Sequence, residues 1–490
     1  MFQLINTVAD MVSALGRQNV ETRMTDEQFI VAEINRFRMS KRYKNMIDGD
    51  RYYTGQHDIL HKQRTAIGEG GKLVVIENLP NNKIVDNQYR KMVDQKANYL
   101  VGQPFVIQSN NKNYVNALKP HLQTKKFMKM LKSVTKDSLN GGVGWLHPHY
   151  DENGEFGVKR FKPFEILPMW VDAEHTKLES GIRMYEIIGY EGKTEKIITK
   201  VEIMKTDGIY YYELTNGDLI PEAPFYQPYF TVTDRNGVAH GFNWNKIPLI
   251  PFKCNEEEKP LIVACKSMQD ALNQIESQWQ DQMEEDPRNT IMVLVNFDGE
   301  NLGEFRQNLA TYGVVKVRSG EGANGDVRTL QIEVNSENYK AIIEQFKKAI
   351  VENCMGYDAK DDRIGSNANE MNLKSMYSDI ELDTNAMETE YQAAFEELLW
   401  FFNCHLANTG VGDFEGEEVE IIFNRDIMIN ESEVINDCKN SVGLLSDETI
   451  VANHPWVDDP VEELKRIKKQ KEADLEMYGD QFGQTGADEE

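Results

Sequence analysis

Apolar side chains recur at helical spacing along most of this chain. They give way between Val143 and Phe252, and more briefly after Pro287, to short apolar runs parted by turn signals. At the start Phe2, Ile5, Val8, Val12 and Leu15 share a helical face, which reads as a docking or interaction helix. Thr25 with Gln28 forms a capping box. Phe29, Ile34, Phe37 and Ile47 continue the period behind it, and Gly49 is expected to close the segment. An aromatic stretch, Arg51 to His57, leads into a loop around GEGGK (68–72). Ile84, Met92, Val93 and Tyr99 predict a further helix, ended by Gly102 and Pro104. Val115 to Leu139 is helical again, with a break expected at Pro120.

Runs such as GVGWLHPHY, FEILPMWV, KIITKVEIM and GIYYYEL, separated by ENG, TNGD and DRNG, have strand-and-hairpin composition. Glu256-Glu257-Glu258-Lys259-Pro260 then places acids where a helix start favours them. Leu261, Ala264, Cys265, Met268, Leu272, Ile275, Trp279 and Met283 form one apolar stripe, ended by Pro287. From Lys259 to Asp286 the rod would be about 42 Å long. Strand-like segments at 290–297, 312–320 and 327–334 follow. A second amphipathic helix from Ser336 carries Ile342, Ile343, Phe346, Ile350 and Cys354. Residues 356–370 read as a loop. Leu373 to Phe402 marks a helix of roughly 52 Å between Met371 and His405, far above the usual three turns. Asn430 with Glu433, Ser446, and Asp459-Pro460-x-Glu462 open three C-terminal helices, Gly443 and His454-Pro455 close the first two, and GDQFGQTGADEE is expected to be a disordered tail. The fold class is therefore α+β and predominantly helical.

Composition narrows the function. With 490 residues and 40% hydrophobic content the chain can build two or three cored units. Against 54 Lys and Arg stand 80 Asp and Glu, a net charge of −26, which argues against a dedicated DNA-binding surface as the main purpose. It does not exclude a protein that must let DNA pass without sticking. Five scattered cysteines fit reduced thiols. No apolar run approaches the roughly 18 residues of a membrane span, and the first residues lack the order of a signal peptide.

Several pieces resemble, in order and spacing, the portal proteins of tailed phages, of the type first defined on a Bacillus phage. They are Tyr52-Tyr53-x-Gly55-x-His57-x-Ile59-Leu60, Asn81-Asn82-Lys83-Ile84-Val85 and Val93-Asp94-x-Lys96-x-x-Tyr99-Leu100-x-Gly102-x-Pro104, then Ile247-Pro248-x-Ile250-Pro251-Phe252 and Asn430-Glu431-Ser432-Glu433. The resemblance covers about Asp26 to Lys469. It implies a ring, typically of twelve subunits, around a DNA channel. It also implies a wing (1–258, helical then strand-rich), a first stem helix (259–286), a clip (287–335), a second stem helix (336–355) and a tunnel loop (356–370). A long wing helix with its return (371–430) and a crown with the tail (431–490) complete the subunit. Where relatives carry Ser-Gly before Ala-Leu-Lys, this chain reads Ser366-Asn367-Ala368-Asn369-Glu370-Met371-Asn372-Leu373-Lys374.

Carried over, Asp358, Lys360, Asp361, Asp362 and Arg363 would face DNA in the channel. Leu261, Met268, Leu272, Ile275, Trp279, Ile343, Phe346 and Ile350 would pack the stem. Implied partners are further copies of the chain, the terminase large subunit, a head-completion or adaptor protein, the major capsid and scaffolding proteins, and double-stranded DNA without sequence preference; no membrane is implied. The implied location is the virion's portal vertex, after assembly in the host cytoplasm.

Catalytic signals are weak. GEGGKL carries Gly71-Lys72, but Ala66 replaces the glycine a P-loop needs and Leu73 its hydroxyl. His57 with His61, and His147 with His149, are isolated pairs where zinc needs three or four ligands. Gly141-Gly142-Val143-Gly144 precedes a strand, opposite to a nucleotide cradle. No catalytic residue, metal or cofactor is assigned. Two other readings stay open: a metal-dependent nuclease using Asp361-Asp362 and Asp458-Asp459, and a capsid scaffold or adaptor without a channel.

Overall fold

The capping box at Thr25 is made in both directions: Gln28 N donates to Thr25 Oγ1 at 3.3 Å, and Thr25 N to Gln28 Oε1 at 3.1 Å. The computed structural model describes residues 24–67, 71–77, 79–234, 236–284, 291–295, 319–320, 323–324, 326–330, 336–358, 370–425, 431–457 and 460–482. The helix expected at Phe2–Leu15 lies outside them. Helix α1 spans Asp26–Met39, and Ser40 caps α2, Lys41–Tyr53. Gly49 does not end this segment but sits inside α2. A Cβ there would lie 2.0 Å from Asn140 O, so glycine is present for close approach. Strands β1 (Thr65–Ile67) and β2 (Leu73–Val75) pair antiparallel, so a strand, not a helix, follows GEGGK. Ile84 is not helical; it precedes α3, Gln88–Val101. After β3 (Val106–Gln108), α4 (Lys112–Leu122) keeps Pro120 in its last turn. The ring there costs only the amide bond to Asn116, so the break falls later, where Thr124 caps α5, Lys125–Gly141.

Gly142 turns the chain into β4 (Val143–Tyr150), followed by β5 (Phe156–Phe161), β6 (Ile166–Trp170), β7 (Leu178–Glu191), β8 (Thr194–Lys205), β9 (Gly208–Thr215), β10 (Asp218–Gln227), β11 (Phe230–Thr233), β12 (Ala239–Phe242) and β13 (Ile250–Lys253). Strands β10-β9-β8-β7-β6 form an antiparallel meander, β13-β4-β5 a separate antiparallel sheet and β11-β12 a hairpin. Alternation places Ile182, Val201, Ile203 and Tyr212 on the meander's inner face, where Ile34 and Phe37 of α1 cover them.

Helix α6 spans Ile262–Glu284. Beyond it β14 (Ile291–Val295) pairs with β17 (Asp326–Leu330), and β15 (Ser319–Gly320) with β16 (Ala323–Asn324). Helix α7 spans Ser336–Asn353, and α8 runs unbroken over 39 residues, Glu370–Asn408, about 58 Å. The helix thus begins inside the Ser366–Lys374 stretch. Strand β18 (Glu420–Ile422) pairs with β3. Among the described residues helix outweighs strand, 49% against 24%, which fits a predominantly helical α+β fold.

The chain divides into two units, Met1–Gly356 with Ile380–Arg425, and Tyr357–Asp379 with Asp426–Glu490. The main core of the first joins α3, α5, β13 and α8 through Met92, Leu131, Phe252, Tyr391, Phe395 and Leu398. In the second, α9 (Glu431–Asn440), α10 (Asp447–Ala452, capped by Ser446) and α11 (Pro460–Phe482) follow the predicted order. Lys471 pairs with Asp447 at 3.2 Å. Helix α11 extends four residues into the segment expected to be a disordered tail. Among the described residues no helix is long and apolar enough to cross a membrane.

A candidate channel-forming stem

Helix α6 carries two stripes, only one of them apolar. Leu272 is fully buried; Leu261, Met268, Ile275 and Trp279 are half-buried against the core. On α7, Ile343 and Ile350 are buried and Phe346 is half-buried. Trp279 stacks on Tyr339 at 6.1 Å, and Tyr339 Oη donates to Gln282 Oε1 at 3.0 Å, so the helices meet along this seam. Met283, placed on the stripe by its spacing, is exposed.

The second stripe is polar and more deeply buried. Gln269, Asn273, Ser277 and Asp281 stand four residues apart and are at most 5% exposed. Each accepts a backbone amide from Asn82 to Tyr89, the segment that leads into α3 and the first turn of that helix. Tyr89 N donates to Gln269 Oε1 at 3.0 Å, Asp86 N to Asn273 Oδ1 at 3.1 Å, Ile84 N to Ser277 Oγ at 3.0 Å, and Asn82 N to Asp281 Oδ1 at 2.5 Å. Among the described residues no strand pairs with this segment, so these side chains satisfy its amides. Lys62 pairs with Asp281 at 2.8 Å. Burial pushes the Asp281 carboxyl up, but Lys62 and the Asn82 amide outweigh it and hold it below the usual range. Ser277→Ala would leave the Ile84 amide unpaired and is expected to cost about 1–2 kcal/mol. Denaturant midpoints at fixed protomer concentration should show it, with Ser277→Thr near wild type. Equal midpoints for serine and alanine would remove the seam's energetic role.

Two of the sequence pieces that carried the resemblance, around Tyr52 and around Asn82, meet α6 here. Tyr52 stacks on His57 at 4.3 Å and its hydroxyl bonds Asp270 of α6. Lys266 reaches Asp58 at 2.6 Å and Asp270 at 2.8 Å. His57 is fully buried, with Nε2 on Tyr52 O and Nδ1 on Asn273, while His61 is exposed, so that pair does not converge. Asp94 binds Tyr53 and Lys136; Lys96, 1% exposed, pairs with Asp383. Lys347 of α7 bridges Asp86 at 2.6 Å and Glu276 at 3.4 Å. His147 is buried, bonds Pro248 O at 2.6 Å and stacks on His149 and Phe161; burial lowers its pKa to about 3.

The start of α6 differs from expectation. Glu258 is not a solvated acid at a helix end but a buried one, 5% exposed and four residues before the helix begins. Arg42 approaches its carboxylate at 2.5 Å, His175 at 2.8 Å and Lys253 at 3.3 Å. Gly142 packs under the same turn. A Cβ there would lie 2.1 Å from Glu258 O, while Cys254 N donates to Gly142 O and Leu261 N to Leu139 O. The end of α5 therefore sets where α6 starts.

Of the residues assigned to the tunnel loop, Asp358 is half-buried, and Lys360, Asp361, Asp362 and Arg363 lie outside the described residues, as do Asp458 and Asp459. Within 287–335, the segment expected to be the clip, only the short strands β14 to β17 are described. Apolar spacing alone does not reveal the polar stripe of α6. Its signal in the sequence is four short polar residues at four-residue intervals beside an apolar stripe.

A family model described as "Phage portal protein, SPP1 Gp6-like" matches residues 38–477. The portal protein of Bacillus phage SPP1 is 31% identical over 457 residues, covering 91% of this chain and 87% of that one. The portal protein of Clostridium phage phiCD119 is 26% identical over 460 residues, covering 90% and 96%. Among solved structures, the neck of an empty gene transfer agent particle computed with C6 symmetry aligns with a TM-score of 0.41 at 11% identity, over 74% of this chain and 88% of that one. The native particle's neck, computed with C12 symmetry, aligns at 0.38 and 11% identity, over the same shares. By the family match and the extent of the SPP1 relative, the chain belongs to the SPP1 Gp6-like family of phage portal proteins.

Proposed function

We propose that this portal protein acts as the repeating subunit of a ring at one capsid vertex, whose central channel passes double-stranded DNA during packaging and ejection. The observation that carries the reading is the doubly fastened stem: α6 is fixed by a polar seam on one side and by α7 on another. Such a helix pair is a stiff strut, suited to repeated side-by-side contacts that close by rotation. The family is a structural one, and the motor's ATP hydrolysis is assigned to a partner, the terminase large subunit, docking on the outer end. A head-completion protein would dock there after packaging, and the capsid and scaffolding proteins around the rim. Lys360 and Arg363 would touch phosphates briefly, with Asp358, Asp361 and Asp362 limiting the contact.

Negative-stain images of the purified protein should show rings with a central hole. A strictly monomeric particle at high protein concentration would overturn the proposal.

A further inference from the structure

In a chain of net charge −26, the residues from Gln95 to Lys136 contain eight lysines and no Asp or Glu. Two of these lysines are neutralised in the fold, Lys96 by Asp383 and Lys136 by Asp94. Four of the others lie on α5. Lys125, Lys126 and Lys129 are exposed and Lys132 is half-exposed, and among the described residues none has a carboxylate within ion-pair reach. At 100° per residue the four fall within an arc of about 120°, opposite the buried Phe127, Leu131 and Val134. The first acid after them, Asp137, is 3% exposed and occupied by Arg160 and Lys162. The helix thus presents concentrated positive charge that nothing described in the subunit answers.

The composition of this face selects the partner. Between Val106 and Val171 no large apolar side chain is exposed among the described residues. A protein interface needs an apolar core and is poor in lysine; contact with a phosphate backbone needs only point charges on mobile stems. Lys125 to Lys132 rise about 10 Å along the helix, which spans about three phosphate steps of one DNA strand. We propose that this face of α5 contacts the phosphate backbone of double-stranded DNA lying outside the channel, without sequence preference. The inference rests on the portal reading, because that reading supplies DNA around the particle's ring.

Covalently closed circular plasmid separates this surface from the channel, since it cannot thread a closed ring. Binding of the assembled protein to such a plasmid would be measured across a salt series, for wild type and for Lys125→Glu/Lys126→Glu/Lys129→Glu/Lys132→Glu. A version with four Lys→Gln changes checks the charge reversal, and micrographs score the rings of each protein. The reversed variant should form rings yet bind plasmid at least about tenfold more weakly at about 0.1 M salt. Its salt dependence should be shallower by about one unit of log–log slope for each phosphate that the lysines no longer neutralise, with the glutamine version falling in between. Rings with wild-type plasmid affinity and slope in both variants would overturn the inference. Absence of rings from the wild type would refute the portal reading itself, so the two failures are distinguishable.

Discussion

Gly142→Ala is expected to destabilise the fold by about 4 kcal/mol, from two separate costs of about 1–3 kcal/mol each. The first is backbone: Gly142 has φ +86°, a conformation L side chains rarely adopt. The second is steric, because the added Cβ would meet the Glu258 carbonyl at 2.1 Å. Relief would require moving the turn that launches α6. Gly154→Ala separates the two costs, since Gly154 has φ +79° and nothing within 4 Å of its Cβ position; it should lose only about 1 kcal/mol. Denaturant midpoints at one protomer concentration make the comparison fair. Equal losses at the two glycines would show that the contact with the Glu258 turn carries no energy.

Acid is expected to weaken the protein through Glu258. Burial alone would raise this carboxyl, but His175, Arg42 and Lys253 together bring it down to about 2, from an ordinary 4.5. A carboxyl depressed in the folded state stabilises fully above its unfolded value, and that contribution fades as pH falls from about 4.5 to about 2. The difference corresponds to about 3 kcal/mol. Glu258→Gln should flatten this part of the stability profile. At pH 7 it should cost about 3–5 kcal/mol, because Arg42 and Lys253 would keep their charges around a neutral amide. An acid limb in Glu258→Gln as steep as in wild type would assign the acid sensitivity to other groups.

Elements with their own local signals are legible in the sequence. The Thr25 box, the Ser446 cap and the stripe from Cys265 to Trp279 each encode an element in contiguous residues, and the helices form there. What escapes depends on residues distant in the chain. Gly49 reads as a stop until Asn140 is known to press against it. Ile84 fits a helical period, yet the hydroxyl of Ser277 holds its amide outside any helix. Glu258 looks like a dipole partner until Arg42 and His175 arrive from α2 and from the turn before β7. The family motifs carry the order of the parts; the reason for the residues around Tyr52 and Asn82, ion pairing and amide capture against α6, is three-dimensional. For the tunnel loop the sequence remains the whole basis of assignment.

The seam along α6 also has a mechanical consequence. Its four amide bonds sit at successive helical turns, about 6 Å apart, and all join the same two chain segments. A force along the helix axis displaces the four acceptors by the same vector, so the bonds share the load and must yield together. A twist about the axis moves all four off their donors at once, because they lie along one slowly winding stripe of about 120°. The helix is therefore indexed in both rotation and position, as a keyed shaft is, where a purely apolar face would let it creep under load.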